Sequence, residues 1–253
     1  MSRLGLVRQS LARPYRVTIP MVVLVGMVPF YIFIAGPAPG RTQHVPAIAL
    51  DGAIPLMPVW SLIYGALYVF LMALPVFVVR EEEHLRRMVW AYLSVWITAY
   101  VCFLAYPTVA PRPEEVAGRG FGAWGLRLLY GMDPPYNCLP SLHVAHSFVS
   151  ALACLRVHRV VGIVAIVSAS LVGLSTLFTK QHYVLDVLAG VLMAVVAYMI
   201  FLRPHPREQV PELDRQVAPA FAWGILGCAG LGLAGYWIAY QLLGGGSSIS
   251  VTR

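Results

Sequence analysis

Seven stretches of apolar residues constrain this chain more than any other feature, because each is long enough, or nearly so, to cross a lipid bilayer. They occupy residues 17–35, 59–79, 88–105, 142–155, 160–178, 184–202 and 218–243, the fourth being short. A spanning helix needs about 20 such residues. Inside hydrocarbon a segment must satisfy its own backbone hydrogen bonds, so runs of this kind fold as helices. Soluble domains carry about 25% charged residues. Here the share is 11%, against 59% hydrophobic, which excludes that class. The expected fold is an all-α, polytopic membrane helix bundle, built as one integral domain over residues 1–253.

A formal charge of +7 would suit a nucleic-acid partner if the basic residues formed a patch, but they are scattered at the ends of apolar runs. No nucleic acid is expected. Membrane topology accounts for them, because cytoplasmic loops are enriched in Lys and Arg. Arg3, Arg8, Arg13 and Arg16 precede the first run, Arg80, Arg86 and Arg87 follow the second, Arg156 and Arg159 follow the fourth, and Arg203, Arg207 and Arg215 follow the sixth. These twelve fall on one side, and Arg41, Arg112, Arg119, Arg127, Lys180 and Arg253, six in all, on the other. The N-terminus is therefore expected in the cytoplasm and the C-terminus outside. The first run is too long for a cleaved signal and lacks a small-residue cleavage pattern, so it reads as a signal anchor.

Between the runs, residues 36–58 carry prolines at 37, 39, 46, 55 and 58, which bar a continuous helix. They read as an outer connector with Trp60 at the interface, or as a lid. Residues 80–87 read as a cytoplasmic hairpin loop, 203–219 as a cytoplasmic linker and 244–253 as a flexible tail. The longest outer loop is 107–139, and loops of that length are either functional or disordered. Its apolar piece at 126–130 argues for order at the interface. Cys102, Cys138, Cys154 and Cys228 show no zinc-type spacing. Cys154 and Cys228 read as small apolar residues in helices. Cys102 and Cys138 both approach the outer face, where a disulfide is chemically permitted, and their pairing stays open.

Two polar stretches interrupt the apolar pattern where runs begin: Pro140-Ser141-Leu142-His143 and Lys180-Gln181-His182-Tyr183-Val184-Leu185-Asp186. Ionisable groups at that depth are costly and usually functional. His182 and Asp186 are four residues apart, so on a helix they share a face. A carboxylate that takes the proton of one ring nitrogen leaves the other as a free lone pair, a competent nucleophile or base. Ser141 stands at an N-cap position and is expected, like Arg112 and Lys180, to bind phosphate, and His143 follows in the first turn, where the helix end attracts anions. Arg112, between two prolines, suits two-pronged binding of phosphate oxygens, with Lys180, the only lysine, as a point charge beside it. His146 and Ser147 read equally as supporting or packing residues. Zinc on His143, His146, His182 and Asp186 is the competing reading. Arg112 and Lys180 weigh against it, since cations repel a metal and suit a phosphate. A transporter or non-catalytic scaffold is the other alternative, although transport sites lie near the bilayer midplane and these groups sit at one edge.

Arg112-Pro113, Pro140-Ser141-x-His143, Ser175 and His182-x3-Asp186, within about 105–190, resemble the type 2 phosphatidic acid phosphatase superfamily, whose pattern is K-x6-R-P, P-S-G-H and S-R-x5-H-x3-D. The resemblance implies a six-helix core, to which the last apolar run adds a seventh, C-terminal helix. It also implies His182 as a nucleophile forming a phosphohistidine, Asp186 as its orienting partner, His143 as general acid and Arg112 as a phosphate ligand. Ala105, Leu142 and Thr176 depart from the pattern, so two phosphate-binding cations are missing, and Lys180 is expected to replace one. P-S-L-H with H-Y-x-x-D looks closer to the branch of fungal inositol phosphorylceramide synthase. The expected activity is transfer of a phosphorylated head group from a phospholipid to a small alcohol or lipid alcohol, at the extracytoplasmic face and without metal or organic cofactor. Hydrolysis of a lipid phosphate, with water as acceptor, is the alternative.

Overall fold

A computed structural model of the chain describes residues 2–13, 19–34, 36, 40–113 and 115–243. Arg16, Arg253 and the 244–253 tail lie outside them. The described residues form an all-α bundle with no strand, in the order α1 (Arg3–Ala12), α2 (Ile19–Ile34), α3 (Ala49–Ala53), α4 (Trp60–Val78), α5 (Glu82–Ala105), α6 (Phe121–Met132), α7 (Leu142–Val157), α8 (Arg159–Phe178), α9 (Val184–Ala197) and α10 (Glu212–Leu242). A π-helical turn, Tyr198–Leu202, prolongs α9. Among the described residues, five helices are long and apolar enough to cross a membrane: α4, α5, α8, α9 with its π-helical turn, and α10. Their outer surfaces carry bare apolar side chains such as Val69, Ile97, Leu188, Leu192 and Leu231, as a lipid solvent requires.

The centre of the bundle is α7. Val144, Ala145, Ser147, Val149, Ser150, Ala151, Ala153 and Cys154 are all buried, so the helix is enclosed on nearly every side by α4, α5, α8 and α9. In lipid, helix association rests on close packing of small residues more than on hydrophobic transfer. Two glycines show how close: a Cβ on Gly162 would lie 2.3 Å from the Leu155 Cα, and one on Gly190 would lie 2.6 Å from the Ser141 carbonyl oxygen. The Tyr92 hydroxyl bonds Ser150 Oγ at 2.6 Å across α5 and α7. With 16 residues, α7 is about 24 Å long at 1.5 Å per residue, shorter than a hydrocarbon core of about 30 Å.

The arginine-rich segments meet at one end. Arg13 pairs with Asp214, Arg80 donates to the Arg13 carbonyl, His205 lies 3.3 Å from Glu81, Arg156 donates to the His205 carbonyl, and Arg207 to that of Leu155. Two expected boundaries move here. Residues 82–87 form the first turns of α5 rather than a hairpin loop, because Glu81 caps the helix through the Glu83 and His84 amides and Glu83 pairs with Arg86 and Arg87. Similarly, α10 starts at Glu212, within the expected 203–219 linker, with Asp214 held by Arg13. The arm ahead of the first span is itself a helix, capped by Ser2.

At the opposite end, the loops interlock. His44 bridges to Thr108 and Val109 to Tyr136. The Thr108 hydroxyl accepts from the Cys138 and Leu139 amides at 2.9 and 3.1 Å. All four cysteines are free, Cys102 in α5 and Cys138 buried in this loop layer.

Candidate active site

The end of α8 turns sharply. Lys180 has φ +53°, a left-handed conformation that reverses the chain. The Thr176 carbonyl then accepts both the Gln181 and the His182 amides, at 2.9 and 3.3 Å. His182 stands just outside α9, not on it, which corrects the picture of a shared helical face. The pairing with Asp186 survives because Asp186 is the third residue of α9 and reaches back. Its Oδ2 accepts the Tyr183 amide at 2.9 Å and lies 3.3 Å from His182 Nδ1. The same α9 turn grips α7, since the Ser141 amide donates to the Asp186 carbonyl at 3.0 Å.

On the other face of the His182 ring, Nε2 lies 3.3 Å from His143 Nδ1. Where the Asp186 carboxylate accepts from His182 Nδ1, the lone pair is left on Nε2, turned towards His143 Nδ1. Tyr64 and Tyr68 set their rings edge-on to His143, with centroids 5.6 and 5.2 Å away, and the Ser147 hydroxyl donates to its carbonyl at 2.7 Å. Asp186 is fully buried, and its Oδ1 has no partner among the described residues.

Both histidines open into a cleft of about 310 Å³, mouth included, whose other polar lining is Asp133, Asn137, Gln181 and Tyr31 and whose apolar lining includes Phe103, Leu142 and Pro134. Arg112 stands behind Asp133. Its guanidinium donates to the Asp133 carbonyl at 2.5 Å and the Pro134 carbonyl at 3.4 Å, lies 3.5 Å from Asp133 Oδ2, and stacks over Tyr130 at 4.6 Å. Tyr130 in turn donates to the Thr179 carbonyl at 2.5 Å, linking α6 to the α8 turn.

Two expected ligands are used otherwise. The Lys180 ammonium donates to the Asp51 and Ile54 carbonyls at 3.1 and 2.5 Å, closing the end of α3. Ser141 is wholly buried as the α7 N-cap, its hydroxyl accepting the Val144 amide at 3.4 Å. His146 turns away from the pair, since its Nε2 accepts from Trp96 Nε1 on α5. Among the described residues no three His, Cys, Asp or Glu side chains converge as metal ligands.

Sequence reading missed two acids. Asp51 Oδ1 accepts the Val184 amide at 2.8 Å, capping α9 from 133 positions away, and no local pattern could have indicated it. Asp133 lines the cleft and bonds the amide of Gln181, beside the His182 backbone, at 2.8 Å. Its place before two prolines, which bias it towards extended backbone, was the available signal. Within the described part of the expected 36–58 connector, His44, Asp51 and Met57 each bond the layer beneath. Burial, with the Asp186 carboxylate adding to it, pushes the Cys138 thiol up to about 12.

Comparison with known proteins gives a matching family model over residues 41–200, described as the PAP2 superfamily. A PA-phosphatase related-family protein of Dictyostelium discoideum is 22% identical over 125 residues, which cover 45% of this chain and 23% of that protein. The chain thus spans about a quarter of the length of that relative. No solved structure matches.

Proposed function

Since the chain belongs to the PAP2 superfamily, we propose that it is a membrane lipid phosphotransferase, moving a phosphorylated head group from a phospholipid to an alcohol acceptor through a phosphohistidine on His182. The family supports phosphatase or phosphotransferase chemistry on lipid phosphates. The observation that supports covalent histidine chemistry, for transfer and hydrolysis alike, is the facing pair: His182 Nε2 opposite His143 Nδ1, 3.3 Å apart, at a cleft between the spans.

The phosphoryl group takes the place of that direct contact. His182 Nε2 attacks phosphorus, the bond to the departing alcohol oxygen breaks, and His143, entering the step as the imidazolium, gives that oxygen a proton and is left neutral. In the second half His143 takes the proton of the acceptor alcohol, whose oxygen attacks the phosphohistidine and releases the imidazole. Asp186 holds the His182 tautomer and offsets the positive charge of the phosphorylated ring. The α7 N-terminus, capped by Ser141, stabilises the equatorial oxygens, with Arg112 adding positive potential from behind Asp133. With Lys180 turned to α3, and Ala105 and Thr176 where the family pattern has cations, the site is short of positive charge. A phosphodiester bears one negative charge fewer than a terminal phosphate, which favours transfer over simple monoester hydrolysis. The arginine-rich end opposite the cleft supports a cytoplasmic N-terminus and an extracytoplasmic site.

The deciding experiment incubates the purified protein with a panel of radiolabelled phospholipids and lipid phosphates, with and without alcohol acceptors. The expected result is head-group transfer, with an acid-labile label on the protein that His182→Ala abolishes while remaining folded. Free phosphate release with no transfer to any alcohol would make it a phosphatase. Absence of turnover on every lipid would overturn the enzymatic reading in favour of a scaffold.

A further inference from the structure

Asp133 puts a carboxylate where an anionic substrate must arrive, and the arrangement around it explains why it stays there. Its Oδ2 accepts from Gln181 Nε2 at 2.8 Å, and Gln181 is itself buried, its Oε1 accepting from the Thr179 hydroxyl at 3.1 Å. Two prolines follow Asp133 in the chain, so its backbone has little freedom to withdraw. The same carboxylate oxygen lies 3.5 Å from the Arg112 guanidinium, which also holds the Asp133 and Pro134 carbonyls and leaves its side chain only 8% exposed. Arg112 therefore stands behind the cleft lining with its charge balanced by Asp133, and both Asp133 and Arg112 lie within electrostatic reach of His143.

We propose that Asp133 is a specificity-determining residue: tethered by Gln181 and paired with Arg112, it restricts the cleft to phosphoesters that carry a single negative charge. This inference rests on the phosphoryl-transfer reading above and names the substrate class. A phosphodiester lipid presents one charge to a site whose guanidinium and carboxylate balance. A terminal phosphate presents close to two at neutral pH, its second pKa being about 6, and the second charge meets Asp133 with no Lys or Arg among the described residues that line the cleft. At an effective dielectric near 20 and a separation of a few ångströms, one extra charge changes relative affinity by on the order of 10- to 100-fold. The effect belongs in KM, because the repulsion acts on the bound ground state as well as on the transition state.

The test compares kcat/KM of the full-length protein, in mixed micelles, for phosphatidic acid and for phosphatidylglycerol of identical acyl chains. Wild-type protein is expected to favour the diester. Asp133→Asn is expected to raise kcat/KM for phosphatidic acid relative to phosphatidylglycerol by about 10- to 100-fold, through KM. Asp133→Glu, which keeps the charge, is expected to keep the preference. A second measurement follows the preference against pH: between pH 8 and pH 5 phosphatidic acid loses its second charge, so the wild-type preference should shrink, and Asp133→Asn, which lacks the discriminating carboxylate, should show a smaller change over the same range. Equal change for both lipids in Asp133→Asn, or a preference that does not move with pH, overturns the specificity role and leaves the transfer reading intact. Absence of turnover on both lipids, in a wild-type protein that leaves no phosphohistidine, overturns both.

Discussion

Gly190→Ala tests whether the fit of α9 onto α7 sets the chemistry. Nothing in Gly190 touches substrate, yet it allows the α9 backbone to approach the α7 N-terminus. An added methyl would lie 2.6 Å from the Ser141 oxygen, 3.2 Å from Val144 Cβ and 3.3 Å from the Ala145 amide nitrogen. Ordinary contact begins near 3.4 Å, so the helices must part by roughly 0.8 Å at that point, a displacement of the overpacking kind. Overpacking costs about 1–3 kcal/mol, offset by about 1 kcal/mol because alanine suits a helix better than glycine. The net loss of stability should be about 0–2 kcal/mol, or a few degrees of Tm. Asp186 sits one turn before Gly190 and His143 two residues after Ser141, so the same shift widens the 3.3 Å contacts on either side of His182. A displacement near 1 Å costs on the order of 10²-fold in rate. The variant should therefore stay folded in detergent while kcat, followed as head-group transfer, drops by about two decades. Wild-type kcat with unchanged or raised Tm would refute the reasoning.

Further expectations concern single groups. Asp186→Asn keeps an acceptor for the Tyr183 amide and the fold, but presents the wrong partner to His182 Nδ1; kcat should fall on the order of 10³–10⁴-fold, and a fall under tenfold would contradict the tautomer argument. His143→Ala should cost about 10²–10⁴-fold on a lipid alkoxide leaving group, and much less on a nitrophenyl ester, whose leaving oxygen needs no proton; equal loss on both would remove its role as acid. Lys180→Ala should lower stability by about 1–3 kcal/mol through its two carbonyl bonds, with Lys180→Gly recovering about 1 kcal/mol at the left-handed φ. KM should change less than twofold, and a tenfold rise in KM without loss of stability would make Lys180 a phosphate ligand. Cys138 titrates near 12 when folded and near 8.5 when unfolded, so above pH 8.5 the unfolded chain holds fewer protons and stability falls as pH rises. Cys138→Ala should flatten the decline of Tm between pH 9 and 11; an unchanged slope would show that another group governs it.

The spans were legible because a bilayer leaves a long apolar run one option, and α4, α7, α8 and α9 begin within a residue of where the pattern puts them. Charged first turns were not: Glu82 to Arg87 and Glu212 to Gln216 are helical, but polarity made them read as loop. At the site, the pairings His182 with Asp186 and with His143 are those that spacing and motif pointed to. What stayed hidden were partners remote in sequence. Lys180 looked like a phosphate ligand because it precedes His182, whereas its carbonyl partners lie 129 and 126 positions earlier. Asp51, Asp133 and the Trp96 contact of His146 were invisible for the same reason, since periodicity reports a helix face but not the helix opposite.

The clasp between Asp51 and the turn at Lys180 and Val184 also bears on biogenesis. A nascent chain must keep the segment around Asp51 waiting while more than a hundred further residues are synthesised and inserted, because both partners come from the α8–α9 junction. Long-range closures of this sort form late. On the proposed mechanism, a polypeptide halted after α8 would already possess Arg112 and His143 yet lack His182, and would be chemically silent; reactivity would switch on only when α9 docks.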